Sequence, residues 1–315
     1  MAGKNKKDLL RGKHMICLQD YSPEEINLII DQATELKSEQ QNGIPHSYLE
    51  GKTLAMIFQK ASTRTRVSFE VGVFQLGGRA LYLSAQELQV GRGEPIKDTA
   101  RTLSRYVDGI MIRTFDQKEV EELVKYAAVP VINGLTDRFH PCQALSDLLT
   151  IQEKKGFLKG IKLAYFGDGN NVTHSLLMAC SKMGMHITVC TPPEYQPDEE
   201  ILGWAHDNAH ATGGKVELTA DPTEAAQDAD ILYTDVWTSM GQEAEEEQRK
   251  QKLKKYQVNR RLLKETSSDV LVMHCLPAHR EEEISEEIME LYAPVIFEQA
   301  ENRLHAQKAL MMLIM

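Results

Sequence analysis

The sequence predicts an α/β protein of two similar-sized domains, each a parallel sheet flanked by helices. Three observations carry this expectation. Short apolar runs alternate with helical stretches, the pattern of strands joined by crossover helices. The alternation breaks at Lys154-Lys155-Gly156 and then restarts. The 315 residues suffice for two substantial cores. The expected boundaries are 1–150 for the first domain, 151–298 for the second and 299–315 for a last helix.

In chain order, residues 22–37 read as a capped helix, with Ser22 at the N-cap, Pro23 at the first helical position and Glu25 completing a capping box. Ile26, Ile29, Ile30, Ala33 and Leu36 form its apolar stripe. A strand at 53–58 runs into a helix at 65–76, which Gly77-Gly78 stop. A strand at 80–83 leads to a polar loop, 84–94. Helices near 96–107 and 117–127 then alternate with strands at 109–113 and 130–133, and a helix at 143–155 follows. In the second half, strands are expected at 161–166, 186–190, 215–219, 230–234, 269–274 and 294–297. Residues 242–256 are almost all charged or polar and read as a solvated helix. Asn302–Met315 is a strongly apolar helix that must dock on a core, with Arg303 at its root.

A net charge of −10 makes nucleic acid and anionic membranes poor general partners. No apolar run reaches membrane-spanning length. Cys17, Cys142, Cys180, Cys190 and Cys275 are scattered and form no CxxC pair. That usage points to a reducing compartment, the cytoplasm, and away from a structural zinc site.

The chemistry concentrates where strands end. Ser62-Thr63-Arg64-Thr65-Arg66 lies between a strand and a helix. Free N–H groups and the positive dipole end make such a place an anion site. An ordinary cap would need one hydroxyl and would favour Asp or Glu, not Arg, in the first turn. Arg113 ends a strand, where it is either a site residue or a surface Arg closing an edge. His140 in His-Pro-Cys-Gln143 is either a ligand-facing imidazole or a capping His. Gly167-Asp-Gly-Asn-Asn171 has two glycines of a dinucleotide fingerprint, but Val172 stands at the third. Asn170 and Asn171 are neutral donors suited to a carboxylate. Asp235 could bind an ammonium, and Gly241 would let the backbone turn closely round a ligand. Cys275 is a nucleophile, a ligand or inert packing. A nucleophilic pair with His274 is disfavoured, because adjacent strand residues face opposite ways.

Together, in this order, these stretches resemble the aspartate/ornithine carbamoyltransferases over about residues 14 to 315. The family's Ser-Thr-Arg-Thr stands at 62–65 and its His-Pro-x-Gln at 140–143. Asn171, Asp235-x-x-x-Ser239-Met240-Gly241 and His274-Cys275-Leu276-Pro277 look like the ornithine branch. Putrescine-specific relatives lack the Ser-Met-Gly loop. One departure is Glu281, where many relatives have Gly.

The resemblance implies carbamoyl transfer from carbamoyl phosphate to L-ornithine, without metal or cofactor. It implies that Ser62, Thr63, Arg64 and Thr65 hold the phosphate, while Arg113 and His140 polarise the carbamoyl carbonyl. Gln143 and the Leu276 carbonyl would fix the carbamoyl NH₂, and Arg303 would add positive charge. Asn171, Ser239 and Met240 would hold the ornithine carboxylate. Asp235 would hold the α-ammonium and, with Cys275, lie near the δ-amine. The last helix would return to the first domain. A homotrimer is implied, with Gln89 reaching into a neighbour's carbamoyl phosphate site. The alternatives are a putrescine carbamoyltransferase, a nucleotide-binding dehydrogenase, and a regulatory binding subunit of the same fold.

Overall fold

The computed structural model describes residues 9–86, 88, 93–238 and 243–315. The chain divides into two compact units, residues 1–149 with 302–315 (unit 1) and residues 150–301 (unit 2).

Unit 1 opens with α1 (Pro23–Gln41). Ser22 Oγ accepts from Glu25 N–H and the Glu25 carboxylate accepts from Ser22 N–H, so the expected capping box is formed. The order continues β1 (Thr53–Phe58), α2 (Thr63–Gln75), β2 (Arg79–Ser84), α3 (Ile96–Leu103), β3 (Gly109–Arg113), α4 (Gln117–Tyr126), β4 (Val131–Leu135) and α5 (Pro141–Lys155). The sheet is parallel, ordered β2-β1-β3-β4. β1 and β3 are apolar along almost their whole length because helices cover both faces of a parallel sheet. Ala55, Ile57, Ile110, Ile112, Val120, Leu123 and Val131 make one of its cores.

Unit 2 runs β5 (Lys162–Phe166), α6 (Asn171–Lys182), β6 (His186–Cys190), α7 (Glu199–Thr212), β7 (Lys215–Thr219), α8 (Pro222–Ala226), β8 (Ile231–Thr234), α9 (Glu246–Leu253), α10 (Arg260–Leu263), β9 (Leu271–His274), α11 (Glu286–Leu291) and the start of α12 (Ala293–Ile314). Its parallel sheet is ordered β7-β6-β5-β8-β9. The core gathers Phe166, Leu232, Trp237, Tyr256, Val272, Ile288 and Ile296.

One expected strand is absent. Residues 294–297 form the first turn of α12, not a strand. Four apolar residues cannot distinguish the two states. Here Pro294 sits in the first helical turn, where its missing N–H costs nothing. Arg303 therefore lies well inside a long helix and not at its root, and the helix passes from unit 2 into unit 1.

Each sheet has one place where the strand order reverses, between β1 and β3 in unit 1 and between β5 and β8 in unit 2. In open parallel sheets the connections leave these points in opposite directions and open a crevice at the carboxyl ends of the strands.

The departure at Glu281 has a backbone cost. Its φ is +66°, a left-handed conformation that glycine adopts freely and other residues reach at about 1–2 kcal/mol. Its carboxylate also accepts from Glu286 N–H at 2.8 Å, capping α11 where Ser285 makes no side-chain cap bond. Glu281→Ala keeps the strain and loses the cap, whereas Glu281→Gly loses the cap but relieves the strain. The Gly variant should be more stable than the Ala variant by about 1 kcal/mol in urea denaturation. Equal stabilities would mean that the position carries no strain.

Candidate active site

In unit 1 the reversal crevice is built from α2 and the ends of β1, β3 and β4. Ser62 is the N-cap of α2, and its Oγ accepts from Thr65 N–H at 3.2 Å. No acidic residue stands in the first turn. Thr63 and Arg64 are exposed, and Thr65 is buried. Arg113 follows the reversal at the end of β3, buried, and its Nη1 donates to Thr65 Oγ1 at 3.4 Å. Its Nε is buried and donates to nothing among the described residues. Arg303, on α12, donates from Nη2 to Thr65 Oγ1 (3.3 Å) and from Nη1 to Gln143 Oε1 (2.8 Å). The same Nη1 lies 3.4 Å from His140 Nε2. The Gln143 amide nitrogen donates to Asp147, which orients its oxygen toward Arg303.

Thr65, Arg113, His140, Gln143 and Arg303 are thus brought together, all of them buried. Burial, and then the like charges of Arg303 and Arg64, push the Arg113 guanidinium down to about 10. Burial, then Arg303, Arg113 and Arg64, holds His140 well below the usual imidazole range, so it is neutral. Among the described residues Arg64 and Arg113 form no ion pair. A neutral imidazole beside concentrated positive charge can donate to a carbonyl oxygen while the guanidiniums meet an anion.

In unit 2 the crevice is built from the ends of β5, β8 and β9. Asp235, buried just beyond β8, accepts from Cys275 Sγ (2.9 Å) and from Asn170 Nδ2 (2.8 Å). Asn170 is thus a donor to a carboxylate, as read from the sequence, but the carboxylate is the protein's own Asp235. The Asn170 oxygen caps α6 by accepting from Val172 and Thr173 N–H. Asn171 is the first residue of α6 and is half-buried. Gly169 serves packing and not a pyrophosphate, since a Cβ there would lie 2.4 Å from Pro197 N. His274 and Cys275 face different partners. His274 Nε2 donates to the buried Glu283 carboxylate at 2.9 Å, and its Nδ1 accepts from Leu276 N–H at 2.8 Å. Leu276 is held at φ +59°. Gln89, Ser239 and Met240 lie outside the described residues.

Three polar contacts near these crevices have no local signal in the sequence. Lys60, next to the Ser-Thr-Arg-Thr stretch, pairs with Asp137 on the loop that leads to His140. Glu283 orients His274, as above. Arg249 sits in the charged stretch read as solvated, yet it is only 4% exposed. It pairs with Asp168, donates to the Trp237 carbonyl at 2.8 Å and stacks 4.4 Å from the Tyr195 ring. One buried Arg among exposed charges changes no periodicity, so only the fold reveals it. His279, Glu282 and Glu283 offer ligand atoms within 4.8 Å of one another. Glu282 already meets Lys250 at 2.9 Å and Glu283 meets His274, so the cluster gives no argument for a metal.

Residues 13–153 match the carbamoyl-P binding domain of the aspartate/ornithine carbamoyltransferases, and residues 159–314 match their Asp/Orn binding domain. The chain belongs to the aspartate/ornithine carbamoyltransferase family. It is 58% identical to the ornithine carbamoyltransferase of Pyrococcus abyssi over 97% of this chain and 96% of that one. The structure of the Pyrococcus furiosus ornithine carbamoyltransferase superposes with a TM-score of 0.94 at 57% identity, covering 97% and 98% of the two chains. That of the anabolic enzyme from Campylobacter jejuni superposes at 0.91 and 43% identity, covering 95% and 97%. Among the described residues of this family member, no helix is long and apolar enough to cross a membrane.

Asp168 tests whether burial or attraction governs the polar network of unit 2. Burial raises its carboxyl to about 6, and the opposing pull of Arg249 is the smaller effect. A carboxyl raised in the folded state contributes stability that is present below its unfolded value and lost as pH rises through 6. Asp168→Asn does not titrate. The wild type should therefore lose stability relative to Asp168→Asn as pH rises from about 4 to about 6, by at most about 1.4 kcal/mol per unit in urea denaturation. A widening advantage of the wild type over that range would show that the attraction of Arg249 dominates.

Proposed function

We propose that this protein transfers the carbamoyl group of carbamoyl phosphate to the δ-amine of L-ornithine, releasing L-citrulline and phosphate. The observation that carries the reading is the convergence of Thr65, Arg113, His140, Gln143 and Arg303 in unit 1, a buried cationic cluster in which hydroxyl and amide oxygens accept from the guanidiniums. Ornithine as the acceptor is supported by the names of the relatives described above. Unit 1 is the carbamoyl phosphate-binding domain and unit 2 the ornithine-binding domain.

The hydroxyls and N–H groups of Ser62, Thr63 and Thr65, with Arg64, hold the phosphate and stabilise it as it leaves. Arg113 and neutral His140, with Thr65, withdraw charge from the carbamoyl oxygen and stabilise the tetrahedral oxyanion. Gln143 and the Leu276 carbonyl fix the carbamoyl NH₂. Asn171, with Ser239 and Met240, holds the ornithine carboxylate. Asp235 takes the α-ammonium, and Cys275, already bonded to it, lies beside the δ-amine. That amine attacks as its free base, the minor form of a group that ordinarily titrates near 10. Carbamoyl phosphate binds first and ornithine second.

A citrulline assay with ornithine, putrescine, lysine and aspartate tests the reading. Ornithine should be the acceptor. Product with putrescine alone would reassign the acceptor, and no product with any amine would leave a regulatory binding subunit. Asn171→Ala should raise the ornithine KM about tenfold or more, since a hydrogen bond to a charged group is worth about 1.5–3 kcal/mol. The carbamoyl phosphate KM should change less than about twofold. Equal losses would remove Asn171 from the ornithine side.

The proposed assembly is a cytoplasmic homotrimer in which Gln89 reaches a neighbour's phosphate site. Its support in unit 1 is the exposed apolar set Val67, Phe74, Leu81 and Tyr82 on α2 and the edge strand β2. An uncovered apolar edge invites pairing with another chain. Arg64→Ala should lower kcat by roughly 10²–10³. Mixing it with inactive Gln89→Ala should restore activity, because some interfaces then pair an intact phosphate loop with an intact Gln89. Verified hybrids without activity would confine the site to one subunit.

A further inference from the structure

Lys308 is wholly buried in unit 1, five residues along α12 from Arg303. Its ammonium donates to three neutral acceptors: Gln40 Oε1 at the end of α1 (3.1 Å), His46 Nε2 (2.7 Å) and Gln75 Oε1, the last residue of α2 (3.0 Å). His46 Nδ1 lies 2.8 Å from the Ile44 carbonyl, so that nitrogen carries the proton and Nε2 presents its lone pair to Lys308. Three acceptors match the three donors of an ammonium. Burial lowers Lys308 to about 8, with Glu39 opposing.

The same face of α12 meets one face of α2 along its whole length. Thr65 bonds Arg303. Ser68 Oγ accepts from the Gln307 amide at 2.6 Å, in the amide orientation that also lets the Gln307 oxygen accept from Arg303. Gly72 lets the backbones approach, since a Cβ there would lie 3.2 Å from both Lys308 Cγ and Met311 Cε. Gln75 bonds Lys308. Positions 65, 68, 72 and 75 are one helical stripe, and so are 303, 304, 307, 308 and 311. The two helices are therefore tied by polar bonds at both ends, with a glycine contact between them. The first end is the phosphate pocket.

We propose that Lys308 is a positioning residue for carbamoyl phosphate: it pins α12 to the far end of α2, so that Arg303 and Thr65 stand in register at the pocket. The inference rests on the assignment of that pocket to carbamoyl phosphate. Packing alone does not call for a lysine here. The stripe already holds Leu304 and Met311, and an apolar side chain at 308 would need none of the three polar partners that the lysine requires. A directional charge with three fixed acceptors does what a methionine does not, because it defines one rotation and one height of the helix. An error of about 1 Å at reacting groups can cost about 10²-fold in rate.

The test is steady-state kinetics of Lys308→Met and Gln75→Leu, with each substrate varied in turn. Lys308→Met should raise the carbamoyl phosphate KM and lower kcat, by about tenfold or more in kcat/KM. Its ornithine KM should stay within about twofold, and its Tm should fall, because His46 Nε2 and the two glutamine oxygens lose their donor. Gln75→Leu should shift the same constants by less, because Lys308 keeps two acceptors. Folded variants with wild-type kinetics overturn the proposal, as does an equal loss of affinity for both substrates. If Lys308→Met does not fold and Gln75→Leu has wild-type constants, Lys308 is a stability element and the proposal also falls. A wild type that forms no citrulline would instead overturn the functional reading beneath it.

Discussion

Positive charge gathered at one crevice is the constraint on which unit 1 depends. Arg113, Arg303 and Arg64 bear on one another and on His140, and every one of these interactions is repulsive to a proton. Thr65 Oγ1 accepts from both Arg113 and Arg303, and the Gln143 oxygen accepts from Arg303; such neutral acceptors orient a guanidinium without cancelling its charge. A carboxylate there would stabilise the free protein and spend the field that an anion needs. The stability forgone has to come from elsewhere in the unit, from the apolar strands and the buried face of α12.

Unit 2 solves a different problem with carboxylates. Asp235 and Asp168 end neighbouring strands, and each is given its own partner, Asn170 with Cys275 for the first and Arg249 for the second. Asp235 still helps raise the Asp168 carboxyl, so the two acids repel even with partners of their own. Behind them, Glu283 sets the His274 tautomer, and His274 in turn holds the Leu276 N–H. A residue at φ +59° persists when its surroundings over-determine it, and this chain of bonds is such a surrounding.

Much of this was legible from residue order alone. Strand-then-helix alternation set the fold, because parallel strands covered on both faces are read as apolar runs. The Ser62–Thr65 and His140–Gln143 stretches marked two walls of one crevice, because helix starts and strand ends have chemistry of their own. What stayed illegible was of two kinds. Residues 294–297 are too few and too apolar to show a period, and only their continuation into α12 decides their state. Arg249, Glu283 and Lys308 are single charges whose meaning lies in partners 81, 9 and 233 to 268 residues away. No local pattern carries such a distance. The reversals of strand order that place the crevices are likewise a property of sheet order, which residue periodicity does not encode.

Unit 1 is discontinuous in sequence, and that has a consequence for biosynthesis. Its strands are complete by Leu135, but the segment carrying Ala306, Ala309, Leu310, Met311, Leu313 and Ile314 into its core comes only after all of unit 2. At about 5–20 residues per second, a ribosome takes roughly 8–30 s to translate the intervening stretch. By the end of that interval the second unit is complete, whereas the first still lacks Arg303 and the apolar residues of the last helix. The customary order, amino-terminal domain first, is thus inverted for the finished core. A chain released before the last helix is made would carry a sticky, unfinished unit 1 and be a natural client for chaperones.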